Sequence, residues 1–416
     1  MPKTNGLRAK IGILSSFFVA SLFICGLPIF VMQAVSLYHA THGSAGALES
    51  YQNIPQIIIS FIVFSYITKI GYRKSLILIA FIMTIACLAM PYLDHYWAIK
   101  VFLMLAGAAF VCTKITVYSA TALVTSSKKG HVSFLSIMEG IFMFGTMFGM
   151  WVFSEFMKGN WIYAFWIFAC LSALSGLYWL ITPLNESAIA EAKTETFRES
   201  MAGMKKLVKQ YHILFYMFMI AVYAMIEVGV FSWLPTYNNV ILSLPKAVSI
   251  ELGSLMIAFI AIGRILFGVV LKYVKWQTVF IVNFICGIIL ITITAISLHN
   301  GVNTAGVQTI FQAPLVAFSL PLLGFFIAPV IPTLNSTILT SVPKLHHTAM
   351  ISIMVIISSL ASSFASRLVG GMFTWFGGQL AFDATTLIPL VILLLIILPY
   401  TKVLFRAEKK LKESEV

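Results

Sequence analysis

The chain has 416 residues, 60% of them hydrophobic and only 10% charged, with a mean hydropathy of +0.97. A soluble domain carries about a quarter of its residues as Asp, Glu, Lys and Arg, so this composition excludes a water-facing exterior over most of the surface. The net charge of +13 does not point to nucleic acid, because the basic residues are scattered over short loops and tails, without aromatic platforms.

Apolar runs long enough to cross a bilayer core of roughly 30 Å occur at 11–36, 48–68, 75–92, 98–125, 132–155 and 160–182. A second set follows at 210–235, 251–271, 277–298, 309–341, 348–370 and 384–402. The spacing predicts an all-α integral membrane protein of twelve transmembrane helices in two six-helix halves, 1–182 and 210–416, the second ending in a cytoplasmic tail. The polar stretch 183–209 reads as a cytoplasmic linker. The first run has basic flanks but no small-residue cleavage site, and reads as a retained helix. Cys25, Cys87, Cys112, Cys170 and Cys286 lie inside apolar runs without metal-type spacing, and read as free thiols.

With the N-terminus inside, 21 of the 27 Lys and Arg residues fall on inner segments and only Lys100, Lys158 and Lys246 on outer ones. This asymmetry places both termini in the cytoplasm. The halves echo each other, as duplicated transporters do. Glu49 opens the second run, which ends in the basic loop Lys69–Lys74; Glu251 opens the eighth, which ends at Lys272–Lys275. His131 with Ser136-Ile137-Met138 reappears as His347 with Ser352-Ile353-Met354, at a constant offset of 216.

The loop from Phe64 to Lys74 keeps Gly71, Arg73 and Lys74 of the motif between the second and third helices of major facilitator transporters, and resembles that family. Phe64 stands for its first Gly and Thr68 for its Asp. The second half is similar to the fucose–galactose–glucose/proton symporters. It carries Glu227-Val-Gly229 followed by Ser232, Trp233 and Pro235; Gly263-Arg264 followed by Gly268; and Pro332-Thr333-Leu334-Asn335-Ser336. The resemblance implies the major facilitator fold, a gating role for Gly71, Arg73 and Lys74, and transport with sugars favoured. It is poor in the first half. No acidic residue precedes Glu49, Lys114 stands at the family's acidic or amide position, and Tyr118-Ser119 replaces its Asn-Pro pair.

Ionisable groups inside the hydrocarbon region are costly and mark function. Lys114 and Glu139 lie roughly 21 and 15 Å from the inner loop at 1.5 Å per residue, on adjacent antiparallel helices, and are expected to form an ion pair. That pair either breaks and reforms during transport or is a static strut. Glu227, roughly 22 Å into its helix, is the leading candidate for proton coupling; the alternative is a carboxylate neutralised by Arg264 or held by Tyr223. Arg264 reads as a gate or helix-end group. Pro329 and Pro332 would bend a gating helix. Gln33, Asn53, Gln56, Tyr118, Trp233, Asn283 and Asn335 are candidate solute contacts, whereas Trp151, Trp161 and Trp375 read as interfacial belt residues.

No nucleotide loop, His-Glu-x-x-His helix or catalytic triad is present, so an enzyme is not expected and no cofactor is called for. The expected function is secondary transport of a small polar solute, coupled to protons or another ion. The expected partners are the solute, the coupling ion and membrane lipid, with no nucleic acid, for a monomer in a bacterial inner membrane. An exporter of drugs or metabolites is the alternative within transport; a non-transporting receptor or scaffold is the alternative outside it.

Overall fold

The computed structural model of the chain describes residues 3–93, 95–125, 128–186, 204–271, 273–342 and 347–415. Most of the polar stretch expected to be the linker, 187–203, lies outside them. The described chain is helical. It runs α1 (Lys3–Ile24), α2 (Leu27–Ser36), the short α3 (His42–Gly46), α4 (Leu48–Ile70), α5 (Tyr72–Ala89), α6 (Tyr96–Val124), α7 (Lys128–Phe156) and α8 (Ala164–Ile181). It continues as α9 (Tyr211–Val240), α10 (Lys246–Val270), α11 (Trp276–His299), α12 (Ser319–Ile327), α13 (Val330–Thr340), α14 (His347–Phe376) and α15 (Gly378–Glu415). Among the described residues, 11 helical segments are long and apolar enough to cross a membrane; the 23-residue α4 completes twelve. The first span is interrupted at Gly26, with Pro28 opening α2. The tenth is divided into α12 and α13 with Pro329 at the N-cap of α13.

The chain divides into two units: residues 1–39 with 48–194, and residues 40–47 with 195–416. Within the first, α1 packs on α6, α7 and α8, α4 on α6, and α5 on α6 and α8. In the second, α9 packs on α14 and α15, α10 on α12, and α11 on α12 and α15. Taken in span order, each of these second-unit pairs has its counterpart six spans earlier. The weak sequence echo between the halves therefore reflects one helix-pairing scheme used twice.

Side-chain burial follows the lipid logic rather than the water logic. Ile85, Ile181, Ile265, Ile293 and Leu395 are exposed, as they must be where the surrounding medium is hydrocarbon. Polar side chains turn inward: the Trp179 indole donates to Ser16 Oγ at 2.7 Å, and Ser172 to the Ala80 carbonyl at 2.8 Å. Trp151 and Trp375 are exposed, as expected of belt residues, but Trp161 is not one of them. It is 5% exposed, inside a ring cluster with Phe30, Phe153 and Phe165. A tryptophan beside a short turn reads identically in sequence whichever way it points.

Residues 40–47 belong to the second unit and pack within it. Thr41 caps α3 by accepting from the Ser44 amide at 3.2 Å. The His42 ring stacks on Phe373 at 5.3 Å and lies 6.2 Å from Trp233, whose indole donates to the Ser366 carbonyl at 3.1 Å. The fit depends on missing side chains: a Cβ on Gly46 would meet the Ser366 carbonyl oxygen at 2.5 Å, and one on Gly370 would strike the His42 carbonyl. Arg367 is the ionisable neighbour, its Cα 3.1 Å from that Gly46 position.

Burial pushes the His42 imidazole below the usual histidine range, because the packed site desolvates the cation. The His42 contribution to this packing is therefore fully present above the ordinary histidine pKa of about 6.5 and weakens as pH falls below it toward the depressed value. Amide hydrogen exchange in residues 41–47, corrected for intrinsic rates, should be faster at pH 5 than at pH 7.5. His42→Phe should remove that difference while keeping the stack. Equal protection of the parent at both pH values would refute this account.

Candidate functional site

Among the described residues of the first unit, α6 carries a charged stripe. Phe110, Lys114 and Tyr118 recur every four residues on α6 and so share a face. Lys114 is the nineteenth of 29 residues in that helix, far from either end. The ring of Tyr118 lies 6.0 Å from Phe17 of α1, and that of Phe110 lies 5.6 Å from Phe142 of α7. The Lys114 ammonium sits 5.6 Å from the Phe110 centroid and 5.7 Å from that of Tyr118, with its side chain exposed. Exposing an ammonium to hydrocarbon at mid-span is costly, and ionisable groups so placed almost always face the bundle interior or a water-filled cavity.

The expected Lys114–Glu139 ion pair is not formed, since no ion pair among the described residues includes either group. Tyr118 intervenes. Its hydroxyl makes a very short hydrogen bond to the Glu139 carboxylate, so that carboxylate turns to the phenol rather than to the lysine. Each cation–π contact is worth about 0.5–1 kcal/mol at an exposed site.

In the second unit, Glu227 is the seventeenth of 30 residues in α9, and Arg264 lies on the neighbouring α10. Their side chains are 22% and 32% exposed, and Arg264 Nη2 stands 3.7 Å from Glu227 Oε1. That is a long contact, and the buried Arg264 Nε has no hydrogen-bond partner. Gly263 lets the backbone of α12 come close: a Cβ there would meet the Phe325 carbonyl oxygen and Ala328 Cβ, each at 2.7 Å. Gly268 of the same motif faces open space. Tyr223, one turn before Glu227, donates to the Ile327 carbonyl at 3.3 Å. This places a phenol, a carboxyl and a guanidinium beside the break between α12 and α13. Pro332 contributes to that break by lacking the amide that would take the Ala328 carbonyl.

The remaining predicted contacts are dispersed. Gln33 is buried on α2 and donates to Met157 Sδ at 3.1 Å. Gln56 donates to Asn53, which donates to Glu49, so these three form a chain on α4. Asn283 is buried and bound to the Phe326 carbonyl at 2.9 Å. Asn335 accepts from Tyr216 at 2.5 Å. Trp233 is fully buried beneath α3, which makes it a packing residue in this structure rather than an accessible solute contact.

The basic loop is also built differently from a free gate. The Arg73 guanidinium donates to the Trp179 and Leu180 carbonyls at 2.9 and 2.7 Å, capping the C-terminal end of α8. Its amide donates to Glu186 Oε1 at 2.7 Å. Gly71 has φ +93°, and a Cβ there would meet Glu186 Oε2 at 2.5 Å. Lys74 is exposed. Sequence reasoning missed Tyr216, Phe110 and Glu186. Tyr216 and Tyr223, seven residues apart on one helix face, were the available signal for the first.

Long apolar helices in two units with a shared pairing scheme, and a few ionisable groups held at mid-span, define a membrane transporter rather than an enzyme. A model of the Major Facilitator Superfamily matches residues 11–366, and the chain belongs to that family. No curated protein matches it in sequence. Solved structures with the same fold include the nucleoside transporter NupG, at 13% identity and TM-score 0.71, over 97% of this chain and 99% of that one. A D-xylose–proton symporter matches at 12% identity and TM-score 0.68, over 93% and 95%. A POT family transporter solved with a thioalcohol-conjugated peptide matches at 13% and 0.72, over 95% and 96%. At these identities the likeness establishes the fold.

Proposed function

We propose that this chain moves a small polar solute by alternating access and couples that movement to protons through Glu227. The observation that carries the reading is the Glu227–Arg264 contact: a carboxyl at mid-span, partly accessible, held at 3.7 Å by an arginine with an unpartnered Nε. A carboxyl so placed exchanges a proton for an ion-pair contact at small cost, because the ion pair is already long. When Glu227 takes a proton, Arg264 loses its counter-charge and must move toward another acceptor. A bound proton is thereby linked to the position of α10, which packs on α12 at the proline break. Sugars are supported by the resemblance of the second half to sugar symporters and by two neighbours of the same fold, a nucleoside transporter and a D-xylose–proton symporter.

The test is proton entry into proteoliposomes carrying a pH-sensitive dye, with sugars, amino acids and organic acids offered singly. One compound should drive acidification, and Glu227→Gln should reduce that signal at least tenfold while leaving exchange of the compound measurable. Proton entry unchanged in Glu227→Gln would remove Glu227 from the coupling path. Solute flux without any proton entry would make the protein a uniporter or an exporter.

A further inference from the structure

The charged groups at mid-span in the two units are treated unequally. Arg264 has Glu227, and Glu139 has the Tyr118 hydroxyl. Lys114 has no anionic partner among the described residues, only the faces of Phe110 and Tyr118. A lysine that served packing alone would be replaced by an apolar side chain without loss, because its stem fills the same space without the burden of its charge. A lysine that served as a strut would be paired. Lys114 is accessible, aimed along an aromatic wall and electrically unsatisfied, which is the condition of a group whose counter-charge arrives with a ligand.

We infer that Lys114 is the docking group for a carboxylate on the transported solute, a small hydroxylated monocarboxylate such as a sugar acid. This inference rests on the transport reading above and narrows its solute class. The charge count favours a monoanion over a phosphate dianion, since one ammonium faces the solute and the Glu139 carboxylate is already taken by the Tyr118 hydroxyl. An ammonium with three rotatable donors accepts a carboxylate without the fixed geometry that an arginine demands. Phe110, with Phe142 beside it, supplies the flat apolar surface against which the carbon skeleton lies.

The experiment uses matched pairs, gluconate with glucose and glycerate with glycerol, on the purified full-length protein and on proteoliposomes. In each pair the acid should raise the melting temperature and enter vesicles at least tenfold better than its neutral partner, with the effect weakening as salt is added. Lys114→Met should abolish both responses, and Lys114→Arg should keep most of the binding. Without any ligand, Lys114→Met should melt at or above the parent temperature, because it removes a charge that nothing in the span neutralises. A lower melting temperature for ligand-free Lys114→Met would overturn the inference, showing that the lysine holds the fold together. So would the absence of any melting shift with either acid, or acid uptake within twofold of the parent in Lys114→Met. Acid binding that depends on Lys114 but gives no flux would leave the docking role intact and overturn the transport reading instead.

Discussion

Glu227→Ala is expected to destabilise the protein by about 2–4 kcal/mol, and Glu227→Ala combined with Arg264→Ala by clearly less. The asymmetry comes from what each substitution leaves behind. Removing the carboxyl alone strands a guanidinium that is 32% exposed and whose Nε already lacks a partner. The lost counter-charge is replaced only by whatever water reaches the site. Removing both groups leaves apolar side chains in an apolar bundle, with Tyr223 still donating to the Ile327 carbonyl. The partial exposure of both groups sets the magnitude below that of a fully buried pair. A double-mutant cycle on melting in detergent measures the coupling directly. Strictly additive losses would mean that the 3.7 Å contact carries no energy, and the link drawn between a proton on Glu227 and movement of α10 would lose its basis.

The fold was legible because a membrane imposes a coarse rule that a sequence cannot hide. Every span needs roughly 20 apolar residues, and the loops between them collect the charge. The helix interruptions were partly legible too, since Pro329 and Pro332 announce the break between α12 and α13. Facing was not. Trp161 and Trp151 both look like interfacial tryptophans, and only packing separates the one inside a phenylalanine cluster from the one facing out. Trp233 lies in the stretch whose sequence resembles sugar symporters, yet in the structure it lies beneath His42 and α3, because small residues at Gly46 and Gly370 admit that segment. The expected partnership of Lys114 and Glu139, drawn from helical rise, is not formed among the described residues. Depth along two helices says nothing about a third side chain, and Tyr118, one turn from Lys114, takes the carboxylate. Arg73 shows the same limit. Its family position suggests a gate, whereas its hydrogen bonds run to the end of α8, a destination more than 100 residues away that no local pattern records.

Gly107→Ala is expected to be among the most damaging single-methyl additions in the chain, and the reason lies in what the methyl would strike. A Cβ at Gly107 runs into the backbone carbonyl oxygen of Gln52 and sits 3.3 Å from its Cα, where α6 crosses α4. Small residues at such crossings let helices approach closely in lipid, where association depends on packing rather than on expulsion of water. A backbone carbonyl cannot rotate out of the way, so α4 and α6 must separate along their contact, at a cost of about 3 kcal/mol or more. Gly145 provides the comparison. A Cβ there meets Ser21 Oγ, the end of a side chain that can turn, and comes no nearer than 3.0 Å to the Phe18 carbonyl oxygen, so the loss should be smaller than at Gly107. Gly268, with nothing within 4 Å, should accept Ala with unchanged or slightly raised stability, since the helix gains about 1 kcal/mol in propensity. Melting temperatures should therefore rank Gly268→Ala above Gly145→Ala above Gly107→Ala. If Gly107→Ala melts with the parent, the close crossing of α4 and α6 is wrong. If it melts low, the same substitution should also impair solute uptake, because Gly107 lies two turns from Lys114 on nearly the same face of α6, and moving one displaces the other.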